Sequence, residues 1–409
     1  MPIFAWNLYS KEPLIATKRI VKKLFKLIVS LLLIVTFLLG LIYIQTPVYN
    51  FSPPTPFSGD SLINPYQNID NQKLKCNFHA HTKAWGGVTN GHNTTQELTE
   101  AYASNGYAVA GVSNYHCIEG GSKNKSKIYI PVYEHGINIF KSHALGINAQ
   151  KPSYFDYPLW QNTSQKQQII NDIANNGGLV AIAHPKFMDG HTLEDMAQLT
   201  NYRFVEVLNH YRISDEYWDA ALTAGRLVYG IGNDDTHDIN NEPTFKMWTE
   251  VFADTASAEG VLNALKQGKS YMVHAEDGVK DLKLDSLFVS ENTVSKNIIN
   301  LAVTGPVTEV EFWYPNHKVV KHSVSEHAGN KYHLQMGLTL DKGYVRFVVK
   351  SKNCSLYLNP IVRSVNGKTS GVEKLVPKLN QLKTWLYRLV VLVIELLVAA
   401  MFYRMWFKR

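Results

Sequence analysis

Leu74-Lys-Cys-Asn-Phe-His-Ala-His81 is the stretch on which the reading of this chain turns. LKCNF (74–78) has the texture of a short strand, and His79 and His81 follow directly on it. Residues i and i+2 of an extended chain point to the same side, so both imidazoles can meet one ion. Working outward, Glu134 closes the apolar run IYIPVYE (128–134), and His143 follows in KSHALG. His184 closes LVAIA (179–183), and Asp235 and His237 follow LVYGIG (227–232) in Asp-Asp-Thr-His. Each group is expected at or just beyond the C-terminal end of a strand. In a β/α barrel those ends gather on one face, where active sites are built. A single histidine at a strand end is ordinarily a hydrogen-bonded surface residue; seven such groups together point to metal.

Helical signals alternate with these strands. Thr94-Thr-Gln-Glu97 is a capping box that opens a helix to about Asn105. QKQQIINDIANNGG (165–178) ends in glycines, and further helices are expected near 192–200, 215–224 and 256–267. YAVAGVS (107–113) and FVEVLN (204–209) read as strands. About seven strands alternating with helices predict an α/β fold closed as a barrel. After about residue 280 the texture becomes period-two segments split by Gly, Pro and Asn, which predicts a small antiparallel β-sandwich.

The imidazole and carboxylate donors, with no thiolate, suit Zn, Mn or Fe. Five histidines and two acids exceed the needs of one tetrahedral ion, so two or three divalent ions are expected, with a carboxylate between two of them. Two ions roughly 3.5–4 Å apart can hold a bridging hydroxide for in-line attack on phosphorus. Lys83, Lys186 and Arg212 lie a few residues from these groups and can reach phosphate oxygens. Asn209 ends FVEVLN at the same pole. His237, Lys186 and Arg212 are therefore the candidates for direct catalytic action. Lys83, Lys186, Arg212 and Asn209 are the candidates for holding substrate. Glu206 reads as structural, and Asp234 as a group that could orient a histidine. No GxSxG, HExxH, GxxxxGK[ST] or CxxC is present. Cys117 reads as a buried thiol.

The ends have another character. LIVSLLLIVTFLLGLIYI (27–44) carries no charge and is long enough to cross most of a ~30 Å hydrocarbon core. Six Lys/Arg precede it and none follows until Lys73, which places the N-terminus in the cytoplasm and the middle outside. WLYRLVVLVIELLVAAMFYRMWF (385–407) predicts a second transmembrane helix, despite Glu395. The net charge of +7 belongs to these ends; residues 46–372 hold 28 basic and 31 acidic residues, which excludes a groove for nucleic acid. The expected organisation is a basic segment (1–26), a transmembrane helix (27–45), a Pro-rich linker (46–70), a barrel (71–279), a β-sandwich (280–365), a linker (366–384) and the second helix (385–407).

NFHAHTKAWGG, YEHG, HALG, AIAHP and GIGNDDTHD, in that order, resemble the PHP (polymerase and histidinol phosphatase) superfamily. The resemblance covers roughly 74–275. It implies a distorted (β/α)7 barrel, a two- or three-metal site and hydrolysis, usually of phosphoesters. By motif, His79, His81 and Asp235 correspond to first-site ligands, and Glu134 to the bridge. His143 and His184 correspond to the second site, and His237 to a third. Two departures stand out. Trp85-Gly86-Gly87 stands where the family has Ser-Asp-Gly, and Ser113-Asn114-Tyr115-His116 where it has Thr-Asp-His. His116 is thus a candidate displaced ligand, with Tyr115 the alternative occupant, and a two-metal enzyme is expected. The implied substrate is a phosphorylated small molecule, lipid or envelope-derived compound, met at a lipid bilayer of bacterial inner-membrane type. The same site could hydrolyse a carboxylic ester, amide or carbamate, and a degenerate barrel used only for binding is the third reading.

Overall fold

The computed structural model describes residues 12–69, 72–293, 296–324, 330–338, 343–369 and 376–408. The expected barrel start at Asn71, most of the basic segment before Lys18, residues 339–340 of YHLQMGLTL and 370–375 of the expected second linker fall partly or wholly outside the described residues or side chains. Two compact units result: one from the two ends of the chain, the other from residues 50–378.

The first unit is a pair of helices, α1 (Glu12–Tyr43) and α7 (Gln381–Phe407). Both are long and apolar enough to cross a membrane. α1 starts well before the uncharged run, because its basic first turns continue the helical register. The helices run antiparallel. Trp406 Nε1 donates to Ser30 Oγ at 2.7 Å, and Val48 N donates to Thr384 Oγ1 at 2.9 Å at the other end. Gly40 makes room for Glu395; a Cβ at that position would collide with the carboxyl group.

In the second unit, β1 (Gln72–Asn77), β2 (Val109–Ala110), β3 (Val132–His135), β5 (Leu179–Ile182), β6 (Phe204–Asn209) and β7 (Tyr229–Gly232) match the predicted strands in place, and β4 (Ala144–Ile147) is a strand the sequence reading did not place. Several are shorter than the apolar runs that contain them. Between them lie α2 (Thr95–Ser104), α3 (Thr163–Asn175), α4 (Leu193–Gln198) and α5 (Asp215–Thr223). The starts of α2, α3 and α4 are fixed by reciprocal capping boxes at Thr94, Asn162 and Thr192, which satisfy orphan N–H groups locally. β8 (Met247–Ala253) and β9 (Ser270–Ala275), with α6 (Ala258–Lys266) between them, complete this part.

The strands form two sheets. One has the order β7-β6-β5-β4-β3, parallel from β7 to β5 and antiparallel thereafter. β2, β1, β8 and β9 are neighbours in the other. Leu74, Phe78, Val132, Leu145, Phe204, Ile231 and Val251 bring both sheets into one buried core. Two isolated bridges, Ala80–Thr236 and Tyr115–Glu134, tie the sheets at the ends that carry the histidines. Continuous strand pairing round the predicted closed barrel is not shown among the described residues: the α/β part has two sheets, joined at this pole by the two bridges.

The change of texture near residue 280 lies inside one sheet. β9 pairs antiparallel with β16 (Cys354–Leu358), and the sheet continues through β15 (Tyr344–Lys350) to β12 (Glu309–Tyr314) and β13 (Lys318–Ser323). A three-stranded antiparallel sheet, β10 (Lys283–Thr293), β11 (Lys296–Thr304) and β14 (Lys331–Leu338), shares a core with it. That core joins Leu287, Leu301, Val310 and Phe347 to Tyr102, Tyr107 and Trp248. The segment expected as a spacer is also packed: Phe57 and Tyr66 are buried, and Ser61–Ile63 pairs with β17 (Ile361–Ser364).

Candidate metal centre

The bridge Ala80–Thr236 holds the residues after β1 beside those after β7, with His81 N donating to Thr236 O and Asp235 N to His79 O. His79 and His81 thereby face Asp235. His79 Nε2 lies 3.1 Å and His81 Nε2 3.3 Å from Asp235 Oδ1. Glu134, within β3, is fully buried and faces four imidazoles. Its oxygens lie 3.4 Å from His79 Nε2, 3.1 Å from His81 Nε2, 2.7 Å from His143 Nδ1 and 3.2 Å from His184 Nε2. Two adjacent groups here suit a cation, His79, His81 and Asp235, and Glu134, His143 and His184, and a third, His79, His184 and Glu206, overlaps both.

His143 reaches this pole by a route that differs from the expected one. It precedes β4 instead of ending a strand, and β4 runs antiparallel to β3, so its start lies beside the end of β3. Gly136 follows, and a Cβ there would collide with the His143 ring. His184 (φ 26°) and Asp235 (φ 52°) adopt left-handed backbone conformations that L residues rarely take, a strain typical of residues held for a task.

Several buried atoms of these side chains lack hydrogen-bond partners: His79 Nε2, both nitrogens of His81, Glu134 Oε2, His143 Nε2 and His237 Nε2. Orphaned buried donors and acceptors are costly, and cations among them would satisfy several at once. The donor set therefore fits divalent ions. Burial opposes charge on His79, but Asp235, Glu206 and Glu134 outweigh it and raise its pKa well above 6.5. His81 and His184 are raised for the same reason. Burial would raise Glu134, but His143 and His79 hold it well below 4.5. Asp235 is likewise lowered, by His79 and His81 against its burial.

His237 stacks on His81 with ring centroids 4.3 Å apart, and its Nδ1 lies 3.0 Å from Asp235 O. That carbonyl can only accept, so Nδ1 carries the proton and Nε2 presents its lone pair. Burial and His81 push its pKa down to about 4.

Glu206 does more than the structural part expected of it. It accepts from His79 Nδ1 at 2.9 Å, His184 N at 2.9 Å, Asn209 Nδ2 at 3.0 Å and Asn233 Nδ2 at 2.8 Å. It fixes the His79 tautomer so that Nε2 faces Asp235. Asn209, expected near substrate, instead bridges Glu206 and Asp235, donating to Asp235 Oδ2 at 3.1 Å.

His116 is not brought into the cluster. Its Nδ1 donates to Ser153 O at 2.7 Å, and its Nε2 accepts from Gly136 N at 3.3 Å, which occupies both ring nitrogens. Tyr115 takes the place instead, stacked on His81 with centroids 4.8 Å apart. Asp234 orients no imidazole by its carboxylate. It accepts from Tyr102 Oη and from the N–H groups of Phe245, Lys246 and Met247, and so anchors the start of β8. Lys83 is exposed, with no side-chain contact to the cluster among the described residues. Lys186 lies 3.9 Å from Glu216, and Arg212 Nη1 donates to Tyr211 O. Both line a cleft of about 550 Å³ beside Asn209, together with His210, Lys246 and His274. The last three lacked a sequence signal, because loops after β6 and strands β8 and β9 meet only in the fold. Cys117 is half-buried, and burial raises its thiol pKa.

No family model matches this chain, and no curated protein matches it. Among solved structures it is similar to a two-domain protein from Bacteroides vulgatus that contains a predicted PHP-like metal-dependent phosphoesterase. The identity is 15% and the TM-score 0.40, over 81% of this chain and 99% of that one. The metal reading rests on the side chains described above: the histidine and carboxylate groups could hold divalent ions.

Proposed function

We propose that this chain is a membrane-anchored, metal-dependent hydrolase that cleaves a phosphoester outside the cytoplasmic membrane. The observation that carries the reading is the buried Glu134 carboxylate, met by four imidazoles and placed beside Asp235. His79, His81 and Asp235 would hold one ion and His143 and His184 the other, with Glu134 shared; Zn, Mn and Fe all suit these donors. Bound there, the ions supply Lewis-acid chemistry and water activation. The protein supplies the rest. Glu206 and Asn209 hold His79 and Asp235 in register. Neutral His237 offers Nε2 to a proton at the edge of the cluster. Lys186, Arg212 and Lys246 line the adjoining cleft and favour an anionic substrate, whether a phosphorylated small molecule, a lipid or an envelope fragment.

The anchor reading rests on the two apolar helices. Their antiparallel pairing collects Lys18, Arg19, Lys22, Lys23 and Lys26 at the same end as Arg404 and Lys408, with Lys26 Nζ 4.0 Å from the Trp406 ring centroid. A basic end supports a cytoplasmic location for both termini.

The test is metal content and turnover of the full chain in detergent. About two equivalents of metal are expected, lost in His79→Ala together with hydrolysis of an aryl phosphate. The carboxylate ester of the same alcohol should be the poorer substrate. A metal-free protein, or preference for the carboxylate ester, would overturn the reading.

A further inference from the structure

The two departures from the PHP-like motifs, at Trp85-Gly86-Gly87 and at Tyr115-His116, touch each other beside the metal centre. Trp85 Nε1 donates to Tyr115 O at 2.7 Å. Tyr115 is also bridged to Glu134, the carboxylate that faces four imidazoles. Its main chain is thus held by two separate segments. At the next residue the backbone turns left-handed (His116, φ 49°), and the His116 ring points to Ser153 O instead of the cluster. Tyr115 is left as the side chain of this segment that faces the histidines.

The Tyr115 ring lies against both cation groups at once. It stacks on His81 with centroids 4.8 Å apart, and His237 stacks on the same imidazole at 4.3 Å, so His81 is sandwiched between them. It meets His143 edge-on, with centroids 5.5 Å apart. His81 belongs to one group and His143 to the other. Burial, then the charges of Glu134 and Asp235, push the phenol well above its usual pKa, as expected of a hydroxyl beside those two carboxylates. The imidazoles are buried, whereas Tyr115 is only partly buried, so a molecule arriving from solvent can reach it.

We infer that Tyr115 is a catalytic residue of this centre: its phenol O–H donates to a non-bridging oxygen of the phosphoryl group, and the Trp85 indole is the positioning residue that aims it. The inference rests on the phosphoester reading above. A donor already fixed by stacking needs no reorganisation as charge builds on the phosphoryl oxygens, so its bond strengthens in the transition state.

The test uses the full chain in detergent with its metal. Tyr115→Phe keeps the stacked ring and removes the hydroxyl alone. Metal content should stay at the wild-type level, while kcat on the aryl phosphate should fall by roughly 10²-fold with KM little changed. By calorimetry, orthovanadate, a mimic of the in-line transition state, should bind the variant about 10-fold more weakly, and inorganic phosphate nearly as well as before. Trp85→Phe removes an exposed N–H, should fold normally with its metal, and should show the same pattern at severalfold size. It keeps the inference testable if Tyr115→Phe does not fold. Two results would overturn it: full metal with wild-type kcat and vanadate affinity in either variant, or loss of metal in Tyr115→Phe, which would make Tyr115 a support for the ligands. A wild type that holds metal, yet cleaves no aryl phosphate and binds neither phosphate nor vanadate, would overturn the phosphoester reading itself.

Discussion

Glu206 has no solvent contact, and its two oxygens serve His79, His184, Asn209 and Asn233 at once. Glu206→Ala should leave the imidazoles in place but free the His79 ring to turn. A weakening of metal affinity by about 10–100-fold is expected, measured by competition with a chromophoric chelator. Loss of an entire equivalent would instead make Glu206 a ligand. Protonation gives a second expectation. In metal-free protein the raised imidazoles of His79, His81 and His184 stabilise the fold below 6.5, and lose that contribution as pH rises through their folded pKa values. The lowered carboxylates of Glu134 and Asp235 contribute above 4.5, and lose it as pH falls through theirs. Chelated protein should therefore melt highest between those limits, and lose Tm toward alkaline pH. Metal-loaded protein should keep its Tm there, because ions take the place of the protons. The candidate donors were legible in the sequence because donor chemistry is a property of residue type. The tasks of Glu206 and Asn209 were not, because what a buried side chain bonds depends on partners brought from distant parts of the chain, such as His79, 127 residues from Glu206.

At the scale of elements, local signals read well and pairings read poorly. Thr94 with Glu97 and Thr192 with Asp195 set helix starts through contacts three residues apart, which a linear sequence displays. The antiparallel turn from β3 to β4 has no such signature. His143 therefore seemed to end a strand when it begins one. β8 also went unread, since MWTEVFA (247–253) is buried on both faces and shows no alternation. Asp195 ties two elements together. It closes the cap on α4, accepts from Thr163 Oγ1 at 2.7 Å and lies 2.6 Å from Lys166 Nζ on α3. Lys166 and Asp195 are both buried, so Asp195→Ala strands an ammonium in the interior. A loss of about 3–5 kcal/mol is expected by chemical denaturation, with the metal ligands untouched. A loss below about 1 kcal/mol would show that water reaches Lys166.

For the whole molecule, the change of texture at residue 280 is real, yet it marks no break in the sheet, because β9 pairs directly with β16. Composition shows what kind of strand follows; it does not show which older strand receives it. The two end helices were plain from hydropathy alone. Full-length protein is expected to resist alkaline carbonate extraction from membranes. Deletion of either helix alone should leave it resistant, and deletion of both should release it. Release on losing α1 alone would mean that α7 does not anchor. Under the proposed membrane anchoring, the pairing of α1 with α7 has a consequence for proteolysis. Residues 50–378 are fastened at both their ends, through Val48 on one side and Asn380 on the other, joined by the bond from Asn380 N to Val48 O. A protein on one stalk is shed by a single nick. Here a cut near residue 47 leaves the α7 attachment, and a cut near 380 leaves the α1 attachment, so shedding takes two independent cleavages.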